Sequence, residues 1–264
     1  MEAVATESPA RSPGLYFALV FLLTVPFWVL GAVVREPLAG VGLPLSALMF
    51  VSPLIVALFL IHREEGTQGL RRLFGSFADT RHIRPLWYLP TLLLMPVIYA
   101  LSHLVHEMLG RSMAPPDLTV LGLLTLLVAF LVTAACEEAG WTGYVTDPLQ
   151  KRWSALGAAL VIGAVWAGLH VIPDLQGGHD WGWIAGQRLF TLALRVLIVW
   201  LYNNTGRTHF APTVLPATDN VGVFTLFPGG GDDYVPAITA VITAIVAIGV
   251  TLVWGWRTLG PRRG

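Results

Sequence analysis

Two adjacent glutamates, Glu137 and Glu138, close an apolar run that begins near Thr119. An ionisable side chain inside a membrane segment is costly, so it marks a functional site by default. Adjacent helical residues point about 100° apart. One carboxylate can therefore face a water molecule or a metal ion while the other orients it. The alternative is a pair at the membrane–water boundary that binds a cytoplasmic arginine.

A histidine follows on the next apolar run. His170 lies four residues after Trp166, so the two side chains share one helix face. A Glu/Glu/His set can hold a metal ion. It also suits a metal-free reaction in which glutamate activates water and histidine stabilises the oxyanion. A histidine that only packs and bonds to its neighbours is the simpler alternative.

Two further polar clusters are candidates. Asp219 and Asn220 lie in the seventh apolar run, where Asn220 can hold a carbonyl group or form a hydrogen bond between helices. His103, His106 and Glu107 share one helix face near the outer end of the third run. The spacing is not that of a zinc protease, and we interpret this second cluster as packing at the interface rather than a metal site.

The composition indicates the elements that must position these residues. Hydrophobic residues make up 55% of the 264-residue chain and charged residues only 12%, against about 25% charged in soluble domains. Mean hydropathy is +0.68. The formal net charge of zero gives no basic footprint for nucleic acid. The single cysteine, Cys136, excludes an internal disulfide.

The sequence predicts an all-α, polytopic membrane helix bundle with about eight transmembrane helices. A span needs about 20 mostly apolar residues. The sixth and seventh spans are the weakest, because they contain arginines or prolines and polar residues. The predicted spans are 14–34, 41–61, 87–106, 119–138, 155–173, 184–202, 209–227 and 235–256.

The basic residues predict the orientation. Twelve lie in the loops and ends on one side, three lie on the other, and Arg195 lies within a span. Because cytoplasmic loops are enriched in Lys and Arg, we expect both termini in the cytoplasm. We divide the chain into a disordered tail (1–13), one transmembrane domain (14–258) and a basic tail (259–264).

Three connections carry patterns of their own. The 62–86 loop can form an amphipathic interfacial helix through Leu70, Leu73, Phe74 and Phe77. The 174–187 loop is rich in Gly and Trp and is predicted at the outer interface, where Trp is favoured. The 227–234 loop, FPGGGDDY, is predicted as a solvated turn, with a cation site as the less favoured alternative.

The number of residues between Glu138 and His170 predicts where the fourth and fifth spans are connected. If Glu138 and His170 meet, the fourth and fifth spans must match in depth about their midpoint, residue 154. The hairpin turn then falls near Trp153–Ser154, about 24 Å from each residue at 1.5 Å per residue. The fourth helix must therefore continue well beyond Glu138.

Taken together, the motifs resemble the CPBP family, the CAAX-prenyl-protease and bacteriocin-processing intramembrane proteases also called Abi. That family carries EExxxR, an aromatic residue four positions before a histidine, and His-xxx-Asn or Asp, on an eight-span fold. This chain has EEAGWTGY from Glu137, Trp166-x-x-x-His170, and Asn220. The resemblance covers roughly 119–234.

The resemblance implies a hydrolase: an intramembrane protease that cleaves a membrane-anchored or amphipathic peptide. Glu137, Glu138, His170 and Asn220 match its catalytic positions. One glutamate would activate water, while His170 and Asn220 stabilise the oxyanion. A metalloprotease with one divalent ion such as zinc, held by Glu138 and His170, is the other arrangement. The lipid bilayer is the expected environment, in a bacterial cytoplasmic membrane, and nucleic acid is not an expected partner.

Two positions depart from the family pattern. Thr142 stands where the motif has arginine, and Pro216 stands where it has the second histidine. Arg195 or Arg188 can replace the missing cation. Pro216 offers neither donor nor ligand, and His209 lies about 10 Å away along a helix.

These departures keep two other functions open. A catalytically impaired pseudoprotease would act as a membrane scaffold or a bacteriocin-immunity factor. A small transporter is a third hypothesis that rests only on buried polar residues, since no inverted repeat supports it.

Overall fold

The computed structural model describes residues 11–38, 42–111, 115–116, 119–227 and 234–261. These residues form helices and no strand. The α-helices are α1 (Pro13–Val33), α2 (Val51–Ala78), α3 (Tyr88–Met108), α4 (Val120–Gly140), α5 (Asp147–Arg152), α6 (Ala155–Gln176), α7 (Trp181–Asn204), α8 (Phe210–Leu226) and α9 (Pro236–Trp254). Short 3₁₀ turns at Leu45–Phe50 and Pro85–Trp87 lead into α2 and α3.

The fold is the predicted polytopic helical bundle. Seven helical segments in the described residues are long and apolar enough to cross a membrane. Large apolar side chains such as Leu121, Val128, Ile245 and Leu252 point outward, each more than 60% exposed. An outward apolar belt of this kind is what lipid tails cover. The protein is therefore an integral membrane protein.

The seventh predicted span, 209–227, forms a helix of nearly the predicted bounds but differs from the other spans. It forms α8, which has 17 residues, contains Pro216 and is not among the seven apolar segments. Most of α8 is buried against α3 and α4. Neighbouring helices thus shield the polar residues of α8 from lipid. A helix shielded in this way does not need a continuous apolar surface, so its apolar pattern is weak.

The second span also ends later than predicted. The helix does not stop at residue 61 but continues as α2 to Ala78, bending at Gly66, where φ is 63°. The amphipathic helix predicted in the 62–86 loop therefore forms as its extension, with Leu73 buried and Phe74 exposed. The predicted end was too early because charged residues interrupt the apolar run, although such residues are compatible with a continuing helix.

The 174–187 loop is much shorter than predicted. Helix α6 runs to Gln176 and α7 starts at Trp181, with Asp180 as its N-cap. The Asp180 carboxylate accepts hydrogen bonds from the Gly182 and Trp183 amides at 2.7 and 2.9 Å. Such a cap satisfies free amides at a helix start, so the glycines before it form a tight connection.

The chain ends are only partly described. Residues 1–10 and 262–264 lie outside the described residues, and so do residues 228–233 of the predicted acidic turn. Arg11 is paired with Glu65 at 2.7 Å, and Leu259 is fully buried. The described parts of both predicted tails therefore pack against the bundle.

The fourth span continues beyond residue 138, as the hairpin arithmetic requires. Helix α4 passes into a π-helical segment, Trp141–Thr146, and then into α5. The turn follows at Trp153–Ser154, and the Ser154 hydroxyl caps α6 by accepting a hydrogen bond from the Gly157 amide at 3.0 Å. A π-helical segment changes the hydrogen-bonding pattern of the backbone and is common at functional sites.

Helix α7 is the central element of the bundle. It packs along α6 on one side and α9 on another, and it also touches α8. Nearly all of its residues from Phe190 to Tyr202 are buried. A polar side chain on this helix must therefore find its partner inside the protein, which bears directly on Arg195.

Candidate active site

A small cavity lies among α1, α2, α4 and α6. It contains both a glutamate and the histidine predicted from sequence. Its lining residues are Thr24, Met49, Pro53, Glu137, Trp141, Trp166, Leu169 and His170. Apart from Thr24, the rest of the lining is apolar or aromatic, which is typical of a site that holds a few polar groups in defined orientations.

Glu138 is committed to a buried ion pair. Arg195 Nη1 and Nη2 donate to its two carboxylate oxygens at 2.9 and 2.8 Å, and both side chains are almost completely buried. The Thr142 hydroxyl donates to the same carboxylate. This bidentate geometry is the strongest form of carboxylate–guanidinium contact. Arg195 therefore supplies the cation that the motif position occupied by Thr142 lacks.

Trp166 connects this ion pair to Glu137. The Arg195 guanidinium lies over the Trp166 ring, 4.6 Å from its centre. The indole Nε1 of Trp166 donates to Glu137 Oε1 at 2.9 Å. One side chain thus packs under the cation and orients the second carboxylate. Glu137 keeps free acceptor positions facing the cavity, whereas Glu138 does not.

His170 presents its ring to Glu137. Its Nδ1 lies 2.9 Å from the Trp166 carbonyl oxygen, which can only accept, so Nδ1 carries the proton. In the neutral ring, Nε2 is then an acceptor, and it lies 4.0 Å from Glu137 Oε1. That separation is too long for a direct hydrogen bond. The neutral ring therefore does not offer the N–H donor that the sequence interpretation assigned to it.

A glycine allows the helices to approach closely at this point. A Cβ atom on Gly140 would collide with the Tyr16 hydroxyl and lie 2.7 Å from the Pro53 carbonyl oxygen. Tyr16 donates to that carbonyl at 3.2 Å and stacks beside Tyr144, with ring centres 5.2 Å apart. Gly140 thus brings α1 and α2 against the carboxylate end of α4.

A residue near the N-terminus of the chain, Arg11, contacts the π-helical segment. Arg11 Nη1 donates to the Gly143 carbonyl oxygen at 2.6 Å and its guanidinium lies over the Tyr144 ring. The Tyr144 hydroxyl donates to Glu64 at 2.7 Å. These contacts fix the helix just beyond the two glutamates, so they stabilise the direction in which Glu137 points.

The residues do not fit the predicted divalent metal ion. Both oxygens of Glu138 are engaged by Arg195, so the predicted Glu138–His170 pair is not free to bind one. Within the part of the chain that the structure describes, no group of three or more His, Cys, Asp or Glu side chains is arranged to hold a metal. A catalytic zinc site normally has three protein ligands.

Asn220 does not line this cavity. Its amide nitrogen donates to the Pro216 carbonyl oxygen at 3.0 Å, within α8. Its neighbour Asp219 is buried and accepts a hydrogen bond from Tyr99 at 2.8 Å. The structure therefore brings together Glu137, Glu138 and His170, but it does not bring Asn220 into the same hydrogen-bond network.

Arg188, the other candidate counter-ion, forms a separate pair. It bridges Asp174 at 3.0 Å, between α7 and α6. His209 is buried at the start of α8, with its ring 5.1 Å from that of Phe77. Neither residue therefore binds Glu138.

The other histidine cluster has a packing role, as favoured from sequence. His106 Nδ1 donates to the Ser102 carbonyl oxygen at 2.7 Å, and Nε2 accepts from the Val235 amide at 2.9 Å. His103 lies 3.4 Å from Glu107 on the same helix. Both ring nitrogens of His106 are thus used in joining α3 to the start of α9.

Sequence reasoning missed three functional candidates. The spacing of Trp166 indicates only that it shares a helix face with His170. In the structure it is the donor that orients Glu137. Trp141 and Thr24 also line the cavity. The i, i+4 spacing of Glu137 and Trp141 was a usable signal. Thr24 carried none, because α1 is far away in sequence.

The chain is similar in sequence to known membrane proteases and to a resistance protein. A family model described as Type II CAAX prenyl endopeptidase Rce1-like matches residues 119–221. The chain is 25% identical over 166 residues to CAAX prenyl protease 2 of Methanococcus maripaludis, covering 60% of this chain and 61% of the relative. It is 24% identical over 253 residues to lysostaphin resistance protein A of Staphylococcus epidermidis, covering 92% and 64%. The chain thus spans under two thirds of the length of these relatives.

Proposed function

Since the chain belongs to the CPBP family of CAAX-type membrane proteases, we propose that it is an intramembrane endopeptidase that uses a water molecule activated by Glu137. Its substrate is a membrane-anchored or amphipathic peptide segment. Glu138 is a positioning residue, held by Arg195, and His170 helps to hold the water. The reaction uses no metal ion.

One observation carries this proposal: Glu137 Oε1 and His170 Nε2 are two acceptors 4.0 Å apart in one cavity. A water molecule has two O–H donors, and about 2.8 Å is a normal length for each bond. A single water can therefore bridge both acceptors. Its oxygen lone pairs then face away from Glu137 and His170, towards a peptide carbonyl.

The chemical step follows from this arrangement. Glu137 accepts a proton from the water, and the water oxygen forms a bond to the carbonyl carbon while the C=O π pair moves to oxygen. When that pair returns, the C–N bond breaks and the protonated Glu137 delivers its proton to the leaving nitrogen. General base catalysis of this kind contributes typically 10²–10⁴-fold to the rate.

The size of the cavity bears on how the substrate enters. The cavity has room for little more than one water molecule, far less than the roughly 300–1,000 Å³ of ordinary ligand pockets. It therefore accommodates the attacking water rather than a peptide segment. We therefore expect the surrounding helices to separate when substrate binds, as lids and loops do in other enzymes.

The test is cleavage by the purified protein in liposomes. We would incubate wild type and Glu137→Gln with a library of fluorogenic membrane-anchored peptides. We expect cleavage by the wild type and a loss of at least about 10²-fold in Glu137→Gln. The amide keeps an oxygen for the Trp166 hydrogen bond, so thermal unfolding should be unchanged.

A chelator distinguishes the two forms of the reaction. We expect full activity after dialysis against EDTA, because Glu138 is engaged by Arg195. Loss of activity that zinc restores would refute the metal-free reaction but leave the protease assignment intact. Equal cleavage by wild type and Glu137→Gln would refute the assignment of the site.

The departure at Pro216 favours a second candidate, a non-catalytic member of the family. Pro216 has no side-chain donor, and Asn220 bonds within its own helix. Such a protein would act as a membrane scaffold or an immunity factor, consistent with a relative named for lysostaphin resistance. If resistance conferred on a host cell survives Glu137→Gln, this second function is favoured.

A further inference from the structure

The proposed reaction leaves one requirement unmet. Attack on the carbonyl places negative charge on its oxygen, and preorganised N–H or O–H donors must stabilise that charge. Glu137 and the neutral His170 Nε2 both act as acceptors towards the cavity. The Trp166 N–H is already bonded to Glu137, and Asn220 does not line the cavity. The donors must therefore come from other lining residues.

Trp141 is the first such donor. Its side chain is fully buried and lines the cavity one helical turn after Glu137. Its indole nitrogen can only donate, yet among the described residues it has no hydrogen-bond partner. Leaving a buried donor unpaired costs free energy, so such a donor calls for an explanation, and a ligand bound in the cavity is one.

Thr24 is the second donor. It lies in the middle of α1, is fully buried and lines the same cavity. A threonine within a helix commonly bonds to a carbonyl of the preceding turn, as Thr243 does at 2.8 Å. The Thr24 hydroxyl makes no such bond within the described part of the chain. No group of the described residues thus accepts its proton.

We propose that the Trp141 indole N–H and the Thr24 hydroxyl form the oxyanion hole of this enzyme. This inference rests on the proposed function. As the water oxygen bonds to the carbonyl carbon, both donors bond to the carbonyl oxygen that gains the electron pair. When the pair returns and the C–N bond breaks, the donors release the product carbonyl. Neither donor gives up its proton, so the proton transfer from water through Glu137 to the leaving nitrogen is unchanged.

Variants that remove each donor test the proposal: Thr24→Val keeps the shape of the side chain, whereas Trp141→Phe keeps an aromatic ring but also leaves a cavity. We expect each to lower kcat by roughly 10²-fold, the usual effect of losing one oxyanion-hole donor, with little change in KM. The unfolding temperature of Thr24→Val should be unchanged or raised, since an unpaired buried donor is removed, whereas that of Trp141→Phe should fall because of the cavity. A merely structural role would not produce this combination.

Two control residues of the same types are also buried but do not line the cavity. The Trp200 indole nitrogen and the Thr213 hydroxyl are also buried without partners among the described residues, and neither residue lines the cavity. Trp200→Phe and Thr213→Val should therefore leave kcat unchanged. Their unfolding temperatures report what loss of such an atom does to stability alone.

The outcomes separate this inference from the function on which it rests. If Glu137→Gln abolishes cleavage while Trp141→Phe and Thr24→Val both keep wild-type kcat, the oxyanion hole is wrong and the protease stands. If the two variants raise only KM, these groups bind substrate and do not stabilise the oxyanion, which also overturns the inference. A wild type that cleaves no peptide overturns both proposals.

Discussion

The guanidinium of Arg195 holds both carboxylate oxygens of Glu138, at 2.9 and 2.8 Å, with both side chains removed from solvent. The two residues come from α7 and α4, 57 positions apart. A buried pair of this kind is costly to break, because either partner alone would remain as an unpaired buried charge. Their contact therefore ties the central helix to the helix that carries Glu137.

We expect Glu138→Leu to lower the free energy of unfolding by about 3–5 kcal/mol, the cost of leaving one buried ion unpaired. The double variant Glu138→Leu/Arg195→Met removes both charges and should recover most of that loss. Thermal unfolding in detergent measures both. A double variant no more stable than Glu138→Leu would mean that the pair is not the cause.

A second prediction concerns restoring the family's arginine at position 142. Thr142 is 2% exposed and bonds to Glu138, so Thr142→Arg adds bulk and a second cation beside one carboxylate. We expect a loss of about 1–3 kcal/mol, as for other overpacked sites. Combining Thr142→Arg with Arg195→Met should recover part of the stability. Unfolding temperatures of the single and double variants decide whether the two arginine positions are interchangeable.

Trp166→Phe separates the two roles of the indole ring. Phenylalanine keeps an aromatic face for Arg195 but loses the N–H that donates to Glu137 at 2.9 Å. A hydrogen bond to a charged group contributes about 1.5–3 kcal/mol, so a kcat loss of about tenfold or more is expected. The exposed Trp153, changed to Phe, is the control. Unchanged kcat in Trp166→Phe would show that Glu137 does not need this donor.

Gly140→Ala tests the close approach of the helices. The added methyl group would meet the Tyr16 hydroxyl and the Pro53 carbonyl oxygen. We expect a loss of about 1–3 kcal/mol from this overpacking. Gly168→Ala, where no atom lies within 4 Å of the new Cβ, should instead be neutral or slightly stabilising. A Gly140→Ala protein as stable as the Gly168→Ala protein would contradict the packing described here.

The predicted orientation can be checked by chemical labelling. In a Cys136→Ala background, we would place single cysteines at His82, in the turn after α2, and at Gly177, in the turn after α6, both of which are exposed. A membrane-impermeant maleimide should label Gly177→Cys in intact cells and His82→Cys only after lysis. The excess of basic residues on the His82 side is the reason. The reverse pattern would place the termini outside the cytoplasm.

The sequence by itself determined the helical membrane class and the depth of the site. Apolar runs reveal spans because lipid demands them over a fixed thickness. A fixed rise per residue then placed the turn at Trp153–Ser154 and matched His170 to the glutamate pair. These are local or one-dimensional properties of the chain. Helix ends were less predictable, because α2 and α5 continue helical structure where hydropathy falls.

Only the tertiary structure decided which glutamate is free. Glu137 and Glu138 are chemically identical neighbours, and the 100° between them on a helix gives no preference. The packing of α7 against α6 presents Arg195 to Glu138 and leaves Glu137 to Trp166 and His170. The same packing removed Asn220 from the network and placed Thr24 beside Trp141. Contacts between distant segments depend on how whole helices rotate and pack, and no local pattern encodes that.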